Sequence, residues 1–421
     1  MTGLSLARRG LLRVLIVFMA ILPIVLLACS LGSDWLVDPA GGGDFTSIQA
    51  AIASSAVQPG DRLWISPGEY GLIPLAKTLD LLALPGQRFH ADLVLVKGLS
   101  ELTIQGMTAR YLLIEDVQGR LELLDVEVGR DGVIPGDPLV EMVYGKTFIS
   151  ACPEVVIAGC LLRGTRQCYP EASSPSTALL LSTSRVAISA TTILGPDDLG
   201  VNAVSATCNA HYPSPAAVSA WNTELSLSGV TIRGGLSSWA GSGAALSIDG
   251  SSLDARGSGV ELWSAGHPQS VAITGPGTTG VLSGIQLSPP TLPAWLSSPT
   301  ELLPLLSAPA LADAGGSYTI ELWAPPGEPA AVLLSAFPAL DLQALAPLGA
   351  LWFDPLAPFA SYLELGAGFV QPAARTFTLP SAPALLGSVI TLQAFLPPCG
   401  TPACSWGGQG SLTAPIAALV H

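Results

Sequence analysis

Three groups of residues have types and spacing that could do chemistry. Asp197 and Asp198 are adjacent in Gly195-Pro196-Asp197-Asp198, with His211 and Arg233 in the segments that follow. A carboxylate pair can divide the acid and base duties of glycoside cleavage, although Pro-Asp-Asp is also ordinary turn chemistry. The second group is the charge-dense stretch Glu115, Asp116, Arg120, Glu122, Asp125, Glu127, Arg130 and Asp131. Carboxylates converging from stacked strands could hold calcium, with Arg120 or Arg130 as the base of a lyase. Charges crowded on one stretch also make an ion-paired exposed face, and that is the expectation here. The third group is Arg163, Arg166, Tyr169, His211, Tyr212, Trp221 and Trp239. Rings beside polar groups suit sugar stacking, and the two tryptophans could equally pack beneath their own loops. No C-x-x-C or His-rich spacing points to a resident metal, so no cofactor is assigned; calcium enters only with the lyase reading.

These residues hang on a repeated unit: apolar, x, apolar, x, small, x, x, apolar. It runs from Leu102, Leu121, Val155, Val186, Leu225 and Leu246, with a weaker copy from Val271. Alternation turns the first and third residues of each copy inward on a strand. The small residue then allows a sharp bend into the next strand. One such coil cannot bury its apolar side alone, so the coils must stack. The first six copies start 19, 34, 31, 39 and 21 residues apart. A bare coil is thus near twenty residues, and the longer intervals carry insertions. All insertions follow the second strand of the unit, which puts residues 164–178, 195–218 and 234–244 side by side on one flank, where solenoids commonly bind.

The start of the stack is marked by Val37-Asp38-Pro39-Ala40-Gly41-Gly42-Gly43-Asp44-Phe45-Thr46-Ser47-Ile48-Gln49-Ala50-Ala51-Ile52. Pro59-Gly60-Asp61 and Leu63-Trp64-Ile65-Ser66-Pro67-Gly68-Glu69-Tyr70 follow. Phe45, Ile48, Ala51 and Ile52 have helical spacing, and Thr46 or Asp44 is placed to cap the helix. The whole stretch resembles the N-terminal cap and first coil of pectin lyase-like right-handed parallel β-helices, the pectin methylesterases especially. The resemblance implies fold and an extracellular setting. It covers about residues 37–70, and the family's later catalytic phrases are absent, so no catalytic residue carries over. The Pro-Asp-Asp group resembles polygalacturonase aspartates but lacks that family's Asn-Thr-Asp and Gly-His-Gly phrases.

The predicted architecture is all-β: a right-handed single-stranded parallel β-helix over 37–287, a Pro-rich linker over 288–314 and a small β-sandwich over 315–421. The sandwich strands are expected at 318–323, 331–334, 375–379 and 389–393, between Pro/Gly turns.

Composition sets the boundaries of function. Of 421 residues, 11% are charged, and the net charge is −14. An acidic chain is a poor partner for nucleic acid. Residues 1–29 read as a signal peptide: Arg8, Arg9 and Arg13 precede an apolar run ending Leu26-Leu27-Ala28-Cys29. A small residue before cysteine resembles a bacterial lipoprotein signal with Cys29 lipidated; ordinary cleavage or an uncleaved anchor are the other readings. The six remaining cysteines imply disulfides in an exported chain. Cys399 and Cys404 flank a four-residue turn, Cys168 and Cys208 fall in two successive insertions, and Cys152 and Cys160 remain as a third pair. The function expected is an exported, lipid-anchored surface protein of the cell envelope. Its role would be non-catalytic binding or adhesion, toward extracellular polysaccharide or a cell-surface glycan. A divergent polysaccharide lyase or glycoside hydrolase is the alternative, and a structural envelope spacer the second.

Overall fold

The computed structural model describes residues 32–129, 145–164, 177–196, 216–235, 243–256, 261–263, 271–283, 285–288, 290, 293–297, 305–309, 311–324, 329–335, 338–345, 349–353, 360–366, 368–381, 389–397, 411–413 and 416–420. Within them the chain winds into a parallel β-helix and then folds back as an antiparallel sandwich. The first face of the helix has eleven described strands, from Asp34–Val37 through Leu102–Gln105, Arg120–Leu124, Glu154–Ala158, Arg185–Ser189, Glu224–Ser228 and Ser252–Arg256 to Leu296–Ser297. The second face stacks Glu127–Val128, Leu161–Arg163, Thr192–Leu194 and Thr231–Arg233. The third stacks Gly145–Ser150, Thr177–Ser182, Val218–Trp221 and Leu246–Asp249. Two nine-residue strands, Phe89–Lys97 and Met107–Glu115, run through the second and third faces without a break.

Inward residues of the repeat, among them Leu102, Ile104, Leu121, Leu123, Val155, Ile157, Val186 and Ile188, fill one continuous core. The small residue after five consecutive first-face strands has positive φ: Gly106, Asp125, Gly159, Ala190 and Gly229 lie between 46° and 66°. That is the left-handed bend the repeat requires. The copy from Leu246 belongs elsewhere, because Leu246–Asp249 pairs with Val218–Trp221 on the third face. Ile273–Thr274, in the weaker copy, pairs there too. The third-face corner also passes through left-handed residues, Asp116, Ala151, Thr183, Asn222 and Gly250. Two corners therefore write the same apolar–x–apolar–x–small signature.

The same corners correct the expectation for Cys152 and Cys160, which are free thiols buried in the core rather than a disulfide. Each follows a left-handed corner residue and stands where neighbouring coils carry a hydroxyl. Cys152 N donates to Ser184 Oγ at 3.2 Å, and Thr223 N donates to Ser251 Oγ at 2.8 Å. Cys160 N donates to Thr191 Oγ1 at 3.2 Å. These side chains in turn donate to the carbonyl two residues back, as Thr191 does to Ser189 at 2.7 Å and Cys160 to Ala158 at 3.3 Å. A small donor–acceptor at this position satisfies buried backbone groups that the turn frees from the ladders. Cys29, Cys168, Cys208, Cys399 and Cys404 lie outside the described residues.

The open ends of the stack are covered. The cap helix is Ile48–Ala53, and its N-cap is Ser47 rather than Thr46 or Asp44: Ser47 Oγ accepts from Ala50 N. Ile48 and Ala51 close the first coil. Asp61, 4% exposed, ties this end together by accepting from Ser33 N, Trp35 Nε1 and Gln58 N at 2.7–2.8 Å. Burial alone would raise its pKa, but the hydrogen bonds from Gln58, Trp35 and Ser33 hold it below the usual value. At the far end the Trp295 ring lies over Gly277 and Gly280, and its Nε1 donates to Gly275 O at 2.9 Å.

Strands Ser317–Ala324 and Gly368–Thr378 pair antiparallel, as do Pro329–Ser335 and Val389–Leu396. Residues Ile320, Leu322, Val332, Leu392 and Leu396 share a core between the two sheets. Within the Pro-rich segment, Leu296–Ser297 joins the helix, while Leu305–Ser307 and Leu311–Ala312 join the sandwich. The sandwich rests on the outside of the first face, where Leu311 and Val389 pack on Leu124, Val156, Ala158 and Ala187. The middle strands of that face are consequently buried on both sides, with every residue of Arg120–Leu124 and Glu154–Ala158 enclosed.

Candidate functional site

Second-face strands Glu127–Val128, Leu161–Arg163, Thr192–Leu194 and Thr231–Arg233 end, and third-face strands Gly145–Ser150, Thr177–Ser182, Val218–Trp221 and Leu246–Asp249 begin, on either side of one corner. At the exits the coils approach too closely for a side chain: a Cβ on Gly195 would stand 2.4 Å from Gly235 N. In the first coils that corner is crossed by continuous strand, and two consecutive residues face outward. The burial alternation slips at Asp92-Leu93 in Phe89–Lys97 and at Arg110-Tyr111 in Met107–Glu115. The ladder register records the same bend, with Ala91 opposite Ala109 and Leu93 opposite Tyr111.

The bend carries an open pocket of about 260 Å³ lined by Glu69, His90, Asp92, Thr108 and Arg110, with Ala91 and Ala109 at its base. Gly68–Gly71 forms one wall, because His90 N donates to Gly68 O at 2.9 Å and Asp92 N to Gly71 O at 2.8 Å. Arg110 Nε pairs with Asp92 Oδ1 at 3.1 Å. On the next coils Arg163 Nη2 lies 3.8 Å from Glu127 Oε1. Thr108 stands opposite Glu127, so the polar track reaches one coil further along the second face, where Leu161 follows in the ladder and Arg163 pairs back to Glu127. On the other side of the bend, half-buried Leu93 and Tyr111 adjoin Leu72, which is 44% exposed.

A second charged group is sealed. Arg120 and Glu122 are 5% and 8% exposed at their side chains, so the expectation of an exposed ion-paired face is corrected. The sandwich covers them. Arg120 Nε meets Glu122 Oε1 at 2.6 Å, Nη1 meets Glu154 Oε1 at 3.3 Å and Nη2 donates to Thr391 Oγ1 at 2.9 Å. The strand registers set Glu101, Arg120, Glu154, Arg185 and Glu224 in one outward row of alternating sign along five coils. Asp80 and Glu122 occupy the adjoining row on either side of Thr103. Arg120 faces Glu122 and Glu154 at once and cannot neutralise both. Burial, then the charge of Glu122, raises Asp80 to about 7. Burial raises Glu154 to about 7 against the opposing pull of Arg120. Glu122 is also raised, by burial first, with Arg120 opposing.

The rest of the charge-dense stretch is scattered over the faces. Asp125 pairs with Arg88, Glu127 with Arg163 and Glu115 with Lys97. Carboxylates from this one coil therefore do not converge. Among the described residues no group of three or more His, Cys, Asp or Glu side chains could hold a metal ion. Trp221 is 41% exposed on the third face, away from the corner pocket, rather than packed beneath a loop. Arg163 and Arg233 end second-face strands two coils apart, with Leu194 between them in the ladder. Asp197, Asp198, Arg130, Asp131, Arg166, Tyr169, His211, Tyr212 and Trp239 lie outside the described residues.

Glu69, His90, Asp92 and Arg110 were not legible as a site because no motif joins them. Their signal was positional: Asp92-Leu93 and Arg110-Tyr111 are polar–apolar pairs 18 residues apart, one bare coil. Comparison with protein-family models and with curated proteins gives no match.

Proposed function

We propose that the chain is an exported surface protein that binds extracellular polysaccharide without cleaving it, using the insertion-bearing corner of the β-helix. The observation that carries this reading is a separation of charges. Asp80 and Glu154, raised to about 7, and Glu122, raised as well, lie beside or beneath the sandwich on the first face. Groups with that acidity are the natural general acids. The open corner holds paired charges instead, Asp92 with Arg110 and Glu127 with Arg163. Kinship with pectin lyase-like proteins, export and lipidation at Cys29 belong to the same reading and rest on the sequence.

A lyase or hydrolase is the second reading, because arginine and carboxylate on adjacent coils is also what such an enzyme would use. The test is purified full chain in detergent with soluble polysaccharides, with and without calcium. Unsaturated-product absorbance, new reducing ends and bound protein are followed together. Retention without product supports binding. Product from any polymer overturns it, and neither signal favours an envelope spacer.

A further inference from the structure

We propose that the corner recognises an uncharged glycan, its sugar units laid across successive coils with Asp92 and Arg110 on their hydroxyls and Tyr111 and Leu72 against their apolar ring faces. The proposal rests on the binding reading above and names its ligand class.

Charge selects against the polyanions. The track holds three carboxylates, Glu69, Asp92 and Glu127, against two guanidiniums, Arg110 and Arg163, on a chain of net charge −14. Each guanidinium already faces a carboxylate, so neither offers an uncompensated positive charge to an anionic polymer. The pairing leaves hydrogen-bonding capacity, because a guanidinium has five N–H donors and a carboxylate about four acceptor sites. Adjacent hydroxyls, each both donor and acceptor, fit an alternating array of this kind.

Shape supplies the second half. The bend makes Asp92 and Leu93 face outward together, and Arg110 and Tyr111 likewise one coil away. A polar strip and an apolar strip therefore run side by side, with Leu72 opposite Leu93 extending the apolar one. A pyranose has that division, with hydroxyls at its rim and C–H groups on its faces. Coils stack about 4.8 Å apart, close to the length of one sugar unit, so a chain along the solenoid axis meets Leu72, Leu93 and Tyr111 on three successive coils, with Asp92 and Arg110 beside the last two. The continuation through Glu127 and Arg163 favours a polymer over a single sugar.

The test is affinity electrophoresis of the full chain in gels containing a neutral β-glucan, a galactomannan or dextran, or else alginate or polygalacturonate, at low and high salt. Retardation by a neutral polymer, little changed by salt, is expected. Asp92→Asn and Tyr111→Ala should each weaken it about tenfold or more, roughly 1.4 kcal/mol. Leu72→Asp, at an exposed position outside the core, should do the same without affecting folding, and Lys97→Ala should change nothing. Salt-sensitive retention by the polyanions alone overturns the ligand class while leaving polysaccharide binding intact. Neutral-polymer retention that survives Leu72→Asp and Asp92→Asn overturns the corner as its site. Retention by no polymer overturns both readings.

Discussion

Arg120 reaches across the chain to Thr391: its Nη2 donates to the threonine Oγ1 at 2.9 Å, although 271 positions separate them. This bond ties the sandwich to a row of charges that belongs wholly to the β-helix. The guanidinium also holds Glu122 and Glu154, so its loss would leave two buried carboxylates without their cation.

Arg120→Ala should therefore destabilise the protein by about 3–5 kcal/mol, the usual cost of an orphaned buried charge. Thr391→Val removes one hydrogen bond and should cost about 1 kcal/mol. Urea denaturation followed by tryptophan fluorescence separates the two, and equal effects would contradict the ranking.

The acidity of the row sets a pH dependence. Folding raises Asp80 and Glu154 to about 7, above the values near 4 of an unfolded chain. The folded protein holds more protons between those limits, so this contribution to stability falls as pH rises from about 4 to 7 and then levels off. Glu154→Gln should flatten the slope. Denaturation midpoints at stepped pH provide the measurement, and stability rising across that window in the wild-type chain would overturn it.

Asp61 works with the opposite sign. Its pKa is lowered on folding, so its contribution is present above about 4 and is lost as pH falls through the folded value. Asp61→Ala strips acceptors from Ser33, Trp35 and Gln58 together. The expected result is early fraying of residues 33–58, read by amide hydrogen exchange before any change in the middle coils.

Cys152 and Cys160 should behave as hydroxyl equivalents. Burial pushes their thiols up to about 11 and about 12, so neither should react with a thiol reagent at neutral pH until the chain unfolds. Cys152→Ser and Cys160→Thr place in these coils what their neighbours carry and should shift stability by less than about 1 kcal/mol. Rapid modification of the native protein would count against this placement.

Leu102, Ile104, Leu121 and Leu123 made the coil readable, because a strand with one face inward must alternate. The cap was readable from Ile48 and Ala51, while its Ser47 N-cap depended on where the chain left the first strand. Leu246 shows the limit of such reading: two corners with the same left-handed bend give one signature, and only strand pairing tells them apart. Arg120 and Glu122 misled for a different reason. Outward charges look solvated in a local window, and their burial comes from a sandwich whose contact residue Thr391 lies 271 positions on. Asp92 and Arg110 carry no readable signature, because a slip in alternation has no composition of its own.

The alternating row from Glu101 to Glu224 has a consequence for how this solenoid can change length. Duplication or loss of a single coil between them would set glutamate beside glutamate or arginine beside arginine, and at Arg120 and Glu154 that repulsion would fall where the sandwich keeps water out. Gain or loss of two coils restores the order of signs. Around Arg120 and Glu154 an odd change in the number of coils is therefore costly, while toward Arg185 and Glu224, 35% and 63% exposed, water screens the same repulsion and relaxes the rule.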